Sequence, residues 1–197
     1  MLISLTKNLN RFSATKSSYK TVVHYYDEKL KLLKKMTIFN WKRKFFDKTA
    51  RVFNDKLEIG KMINESFSDS ATVKIENDKF RFYKPDRFSR TTLIKNSLNK
   101  EIIGKIRYDL WKTKAYINLN NNEYSLKNDS FWRGKWSLSD KGKKLIEFES
   151  KSSNGTIRAS IDNDLLIFAG LYITNNYQRG YFLLFFVIIL IPIIMRG

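Results

Sequence analysis

A self-match at a spacing of forty-four residues constrains this chain more than any other feature. Ile59-Gly60-Lys61-Met62 returns as Ile103-Gly104-Lys105-Ile106, and the register continues without a gap. Ala71, Val73, Ile75, Asn77, Phe80 and Phe82 fall opposite Ala115, Ile117, Leu119, Asn121, Tyr124 and Leu126. Self-similarity at such a period marks a supersecondary unit that buries its apolar face only by packing against its neighbours. In both copies the apolar residues alternate, a turn is expected at Asn77-Asp78 or Asn121-Asn122, and a return strand carries an aromatic residue. Each unit therefore reads as strand, hairpin, strand. Alternation places Ala71, Val73 and Ile75 on one sheet face with Thr72 and Lys74 on the other. In the second copy Tyr116 and Asn118 take the outer face.

A third, degenerate unit follows. It comprises an alternating stretch at 135–139, a turn at Asp140-Lys141-Gly142, an apolar stretch at 145–148, and a last strand at 156–161 after Asn154-Gly155, which reads as the strongest hairpin turn in the chain. Gly60 and Gly104 sit inside strand patterns, where glycine marks a bulge or a close backbone approach. A phosphate cradle would need further glycines and a Ser or Thr beside each Gly-Lys pair, and neither copy has them.

The chain is long enough for one domain with a substantial core and an appendage. Its 43% hydrophobic and 15% aromatic content can offset the entropy of ordering. Cysteine is absent, so no disulfide framework or thiolate metal site is expected, and a cytoplasmic face is the simpler home. Thirty-seven Lys and Arg against nineteen Asp and Glu give +18, a field that attracts phosphate on nucleic acid or on an anionic membrane. Biased base composition is the plain alternative source of a Lys-rich chain. The excess of Lys over Arg speaks against bidentate base recognition. Residues 1–35 form a poorly patterned basic extension with no apolar core of a secretory signal. Because the patterned part begins at Met36, we expect Met36 to be the biological start.

Two apolar segments close the sequence. Asp162, Asn163 and Asp164 offer capping side chains ahead of Leu165, Leu166, Ile167, Phe168, Leu171, Tyr172 and Ile173, so a helix is expected over about 164–176. It is apolar all round and too short to cross a bilayer, which predicts burial inside the domain. The second segment, Tyr181, Phe182, Leu183, Leu184, Phe185, Phe186, Val187, Ile188, Ile189, Leu190, Ile191, Pro192, Ile193, Ile194 and Met195, then lacks a place in the core. Residues 179–197 are thus expected to form a second hydrophobic helix that anchors the chain in a membrane. Burial in the core and an oligomer interface are the alternatives.

Repeated hairpins around Ile59–Met62 and Ile103–Ile106, followed by the all-round apolar helix at 165–173, resemble the group formed by tubby C-terminal domains, phospholipid scramblases and LURP-one-related proteins. The resemblance covers roughly 36–176. It implies a mainly β fold, a twelve-strand antiparallel barrel closed around a hydrophobic helix, and an association with membrane lipid. No phosphoinositide- or calcium-binding motif of the group matches residue by residue, so no ligand site carries over.

Catalysis has little to work with. The one histidine, His24, lies in the basic extension, which excludes a histidine-based triad or a multi-histidine metal site. Asp162 and Asp164 are read as helix caps rather than as an acid–base pair. Trp111, Trp132 and Trp136 are read as packing or interface residues rather than a ligand stack. No cofactor and no small-molecule substrate is expected. The leading expectation is a non-enzymatic, membrane-associated binding or scaffolding module over 36–178, its basic surface facing anionic lipid headgroups from the cytoplasmic side. A soluble, basic nucleic-acid-binding protein with its terminal helix buried or dimerising is the first alternative. A lipid-moving protein, by analogy with the resembled group, is the second.

Overall fold

The structure, a computed structural model, describes residues 36–44, 47–65, 68–86, 88–109, 113–130, 134–151 and 153–194; for 179–190 and 192–194 it describes the backbone only. His24, Trp111, Trp132 and Met195 lie outside the described residues, as does the extension 1–35. The chain partitions into units 1–36 and 37–197, and the second unit is a barrel.

Its strands are β1 (Thr37–Lys42), β2 (Thr49–Asn54), β3 (Leu57–Asn64), β4 (Ala71–Ile75), β5 (Asp78–Tyr83), β6 (Thr91–Asn96), β7 (Ile102–Tyr108), β8 (Lys114–Leu119), β9 (Asn122–Ser130), β10 (Lys135–Asp140), β11 (Lys143–Lys151) and β12 (Asn154–Ala159). Each pairs antiparallel with its neighbours in sequence, and β12 returns to β1 through Thr37↔Ala159 to Lys42↔Asn154, which closes the ring. Among the described residues one helix, α1 (Asp164–Ile194), follows. The expected mainly β, antiparallel barrel around a hydrophobic helix is what the chain forms.

Alternation drives the closure. Ala50, Val52, Met62, Val73, Phe82, Ile94, Ile106, Ile117, Leu126, Leu138, Ile146 and Ile157 point inward and are fully buried. Eight strands make a barrel that side chains alone can fill; the interior widens with strand number, and twelve leave room for a helix. The repeat appears as three four-stranded units: β3 to β6, β7 to β10, and β11, β12, β1 and β2. The first strand of each unit carries a bulge against the strand before it. Ile59 is the extra residue opposite Val52 and Phe53, Ile103 opposite Ile94 and Lys95, and Leu145 opposite Leu138 and Ser139. Each packs against the core.

Gly60 and Gly104 follow the first two bulges. A Cβ on Gly60 would come within 2.5 Å of the Lys74 carbonyl and 3.0 Å of the Phe168 ring, and one on Gly104 within 2.6 Å of the Asn118 carbonyl. Both glycines therefore serve close approach.

Two turns sit one residue earlier than the sequence suggested. Ile75 pairs with Asp78 and Leu119 with Asn122, so the turn residues are Glu76-Asn77 and Asn120-Asn121. Inward pairing of Val73 with Phe80, and of Ala115 with Leu126, fixes that register, because a slip of one residue would turn the core face outward. Asn154-Gly155 is not a turn at all. Both residues lie in β12, where Asn154 pairs with Lys151 and Lys42 and Gly155 with Ser150 and Trp41. Gly155 leaves space for the Trp41 indole, which a Cβ there would overlap.

Candidate functional site

The site to be understood is the helix in the barrel and the two rims it connects. Asn163, not Asp162 or Asp164, caps α1: its Oδ1 accepts from the Leu166 amide at 2.9 Å, and its carbonyl accepts from Ile167 at 3.1 Å. Asp164 is the first helical residue. Burial pushes its carboxyl above the usual range, and the nearby Asp162 and Glu76 carboxylates add to the shift.

Within the barrel Leu166, Ile167, Phe168, Leu171, Tyr172 and Ile173 are fully buried and Leu165 is half-buried. These are the residues expected to plug it. Two reciprocal contacts set the rotation of the helix: the Phe168 ring lies over Gly60 of β3, and the Phe148 ring of β11 lies over Gly170, whose Cβ would overlap it. Each side thus offers a glycine to the other side's aromatic ring.

Further along, polar groups take over. The Tyr172 hydroxyl donates to the Asp69 carbonyl, lies 3.3 Å from Thr92 Oγ1, and its ring meets Phe82 edge-on at 5.2 Å. Thr174 Oγ1 donates to the Leu171 carbonyl at 3.0 Å, so its burial leaves the hydroxyl satisfied. Tyr177 stacks on Trp136 at 4.7 Å, meets Tyr108 at 5.9 Å, and donates its hydroxyl to the Lys114 carbonyl at 3.3 Å. Burial pushes the Tyr108 and Tyr172 hydroxyls up, well up for Tyr108, so both stay protonated at neutral pH, and that of Tyr172 serves as a hydrogen-bond donor. Asn175 is buried, and its amide nitrogen and oxygen have no hydrogen-bond partner among the described residues.

The two apolar segments read as separate helices belong to one. Thr174 to Gly180 interrupts the hydrophobic sequence but contains no proline, and a single interior glycine costs a helix only about 1 kcal/mol, so nothing stops it. The backbone stays helical through 181–194. Of the candidate anchor, the side chain of Ile191 is described and is half exposed, the other side chains through Ile194 are not described, and Met195 lies outside the described residues. Among the described residues no helix is long and apolar enough to cross a membrane.

Antiparallel connectivity gives the barrel two unlike ends. At one, where α1 begins, successive strands are joined by short turns such as Asp55-Lys56, Glu76-Asn77, Asn120-Asn121 and Lys141-Gly142. This turn end carries both signs of charge, with Asp55, Glu58, Glu76, Asp78, Glu101, Glu123 and Asp162 exposed along it among Lys56, Lys79, Lys100, Lys141, Lys143 and Lys144. Single apolar residues, Ile38, Leu57, Leu98 and Ile102, are exposed there at separate points of the rim, an ordinary feature of protein surfaces. At the other end, where α1 leaves, most connections are longer: 43–48, 65–70, 84–90, 109–113 and 131–134. Its acids are largely engaged within the protein. Asp47 faces Arg51, Glu65 pairs with Arg81 at 3.1 Å, Asp69 pairs with Lys84, and Asp109 accepts from the Thr113 amide and hydroxyl. Lys44, Lys48 and Arg90 are exposed along this loop end, and Phe88, 93% exposed, is held on a turn in which Asp86 Oδ1 accepts the Phe88 amide at 2.9 Å.

A shallow groove of about 310 Å³ on the outer wall is lined by Asn40, Trp41, Lys42, Phe53, Asp55 and Lys56. Lys42 Nζ sits 4.6 Å above the Phe53 ring in it, an arrangement that covers the ring rather than leaving it for a ligand. Among the described residues no three His, Asp or Glu side chains converge as a metal site. Trp136 is a core residue stacked on α1, while Trp111 and Trp132 fall outside the described residues. Sequence reasoning offers Asn163 among three capping candidates and Tyr172 among the plug residues, and it misses Tyr177 as a residue that seats the helix; the only signal there is polar character at the end of an apolar run. Comparison with protein-family profiles, with curated proteins and with solved structures finds no match.

Proposed function

We propose that this protein is a non-enzymatic, membrane-attached binding or scaffolding module, its barrel held at an anionic leaflet on the cytoplasmic side by the end of α1. One observation carries the reading: α1 continues as an unbroken helix past Tyr177, its last described contact with the barrel, into a sequence of almost purely apolar residues. From Tyr177 to Ile194 that is about 25 Å of helix at ~1.5 Å per residue, against a hydrocarbon core of ~30 Å. The net charge of +18 supports the same side of the membrane, because basic domains remain cytoplasmic and anionic lipid attracts them. The likeness to the tubby, scramblase and LURP-one-related group, with its association with lipid, is part of the proposal.

Membrane fractionation of the full chain and of a version ending at Gln178, in high salt and in alkaline carbonate, tests the attachment. The full chain should stay with membranes in carbonate and the shortened chain should be released. Complete release of the full chain ends the reading. Binding to anionic vesicles compared with duplex and single-stranded DNA tests the ligand class. Strong, salt-sensitive binding to DNA alone would replace the lipid reading with a nucleic-acid one.

A further inference from the structure

We infer that the loop end of the barrel docks directly on the surface of an anionic lipid bilayer, with Phe88 and the basic residues Lys44, Lys48 and Arg90 at the headgroup level and the turn end facing away. The inference rests on the membrane-attached reading above and adds to it an orientation and a contact surface.

The argument begins with the absence of slack. Tyr177 is clamped to the rim through Trp136, Tyr108 and the Lys114 carbonyl. The apolar run starts at Tyr181, one helical turn or about 6 Å further on at ~1.5 Å per residue, and the helix between them is continuous. A rigid connection this short leaves no room for the barrel to hang free of a bilayer that α1 enters. The loop end must lie against it.

The chemistry of the loop end suits that contact. Lysine and arginine near an anionic leaflet are attracted by about 1 kcal/mol each, and an aromatic ring at the headgroup level is favoured over one in water. Phe88 is almost fully exposed yet held outward by its turn. At the turn end the exposed Glu58, Glu76, Asp78 and Glu123 stand among Lys56, Lys79, Lys141 and Lys143, and these carboxylates weaken its attraction to the same leaflet.

The chain has no cysteine, so single labels report each end without background. Full-length Phe88→Cys and Leu98→Cys, each carrying a nitrobenzoxadiazole label, are mixed with vesicles of equal parts phosphatidylcholine and phosphatidylserine, with and without doxyl-labelled lipid. The label at 88 should shift to the blue and be quenched by the doxyl group, and the label at 98 should do neither. Reversing Lys44 and Arg90 to glutamate together should reduce the shift at 88 several-fold, while reversing Lys56 and Lys141 at the turn end should leave it unchanged. Sedimentation of the same samples separates the two levels of failure. Protein that sediments with vesicles while the label at 98 responds, or neither label responds, overturns the docking orientation and leaves the attachment standing. Protein that does not sediment overturns both.

Discussion

Both parts of α1 are predominantly apolar, and their surroundings are opposite. From Leu166 to Asn175 barrel wall encloses the helix, and its exposure is close to zero; at Ile191, further along the same helix, the side chain is half exposed. Hydrophobicity does not make this difference. The wall does: strands of five to nine residues at ~3.3 Å per residue give a barrel of roughly 17–30 Å before tilt, and about 18 Å of helix from 166 to 177 fills it. What lies beyond the wall must find another apolar environment or remain in water, so the height of the barrel decides where a uniformly greasy helix changes role.

The largest expected effect compares one side chain from each part. Phe168 fills the space over Gly60, and Phe168→Ala would leave a cavity that the closed barrel cannot collapse; a loss of about 3–5 kcal/mol is expected. Ile191→Ala should change stability by no more than about 0.5 kcal/mol, as an exposed position does. Denaturant unfolding of the full chain in mild detergent measures both. Equal losses would mean that the far part is packed as tightly as the near one, and the contrast would be gone.

A smaller effect sharpens how the near part is seated. Gly170→Ala forces a Cβ into the Phe148 ring and should cost about 1–3 kcal/mol. Phe148→Leu alone is destabilising, but combined with Gly170→Ala it should recover part of that cost, giving a coupling of at least about 0.5 kcal/mol in a double-mutant cycle. Strict additivity would show that the aromatic–glycine fit does not fix the helix's rotation.

Such contacts explain what could and could not be read from the residues alone. The repeat was legible because alternation is written into neighbouring positions, and with it the strands of the repeated units; the buried plug showed as an all-round apolar run, and the closed ring was expected only through the resemblance to the tubby, scramblase and LURP-one-related group. Turn positions were legible only to within one residue, since inward pairs such as Val73 with Phe80 set them across strands. Asn154-Gly155 misled because its glycine answers to Trp41, more than a hundred positions away, and not to the local backbone. Distance hid the site as well. The Tyr172 hydroxyl is held by a carbonyl 103 residues distant and that of Tyr177 by one 63 distant, and no local pattern announces either. Two helices were expected where one exists because hydropathy dips at Thr174 to Gly180, whereas helix continuity depends on breakers, and none is there.

The smallest effect lies where the enclosed part begins. Asp164 opens α1, where the positive end of the helix dipole favours a carboxylate, yet burial and the neighbouring Asp162 and Glu76 outweigh that and raise its pKa above the ordinary 3.8. A carboxyl whose folded-state pKa is raised contributes stability that is fully present below the unfolded pKa and is lost as pH rises through the folded value. At neutral pH the charge on Asp164 therefore works against the fold. Asp164→Asn should stabilise the protein at pH 7, by less than about 1 kcal/mol because the group is partly solvated, and the gain should shrink toward zero as pH falls below 3.8. Paired thermal melts of the two proteins across that range measure the difference. A gain independent of pH would trace the effect to something other than charge. A loss at pH 7 would mean that the dipole dominates, and the carboxylate would then help seat the helix at the very end where it enters the barrel.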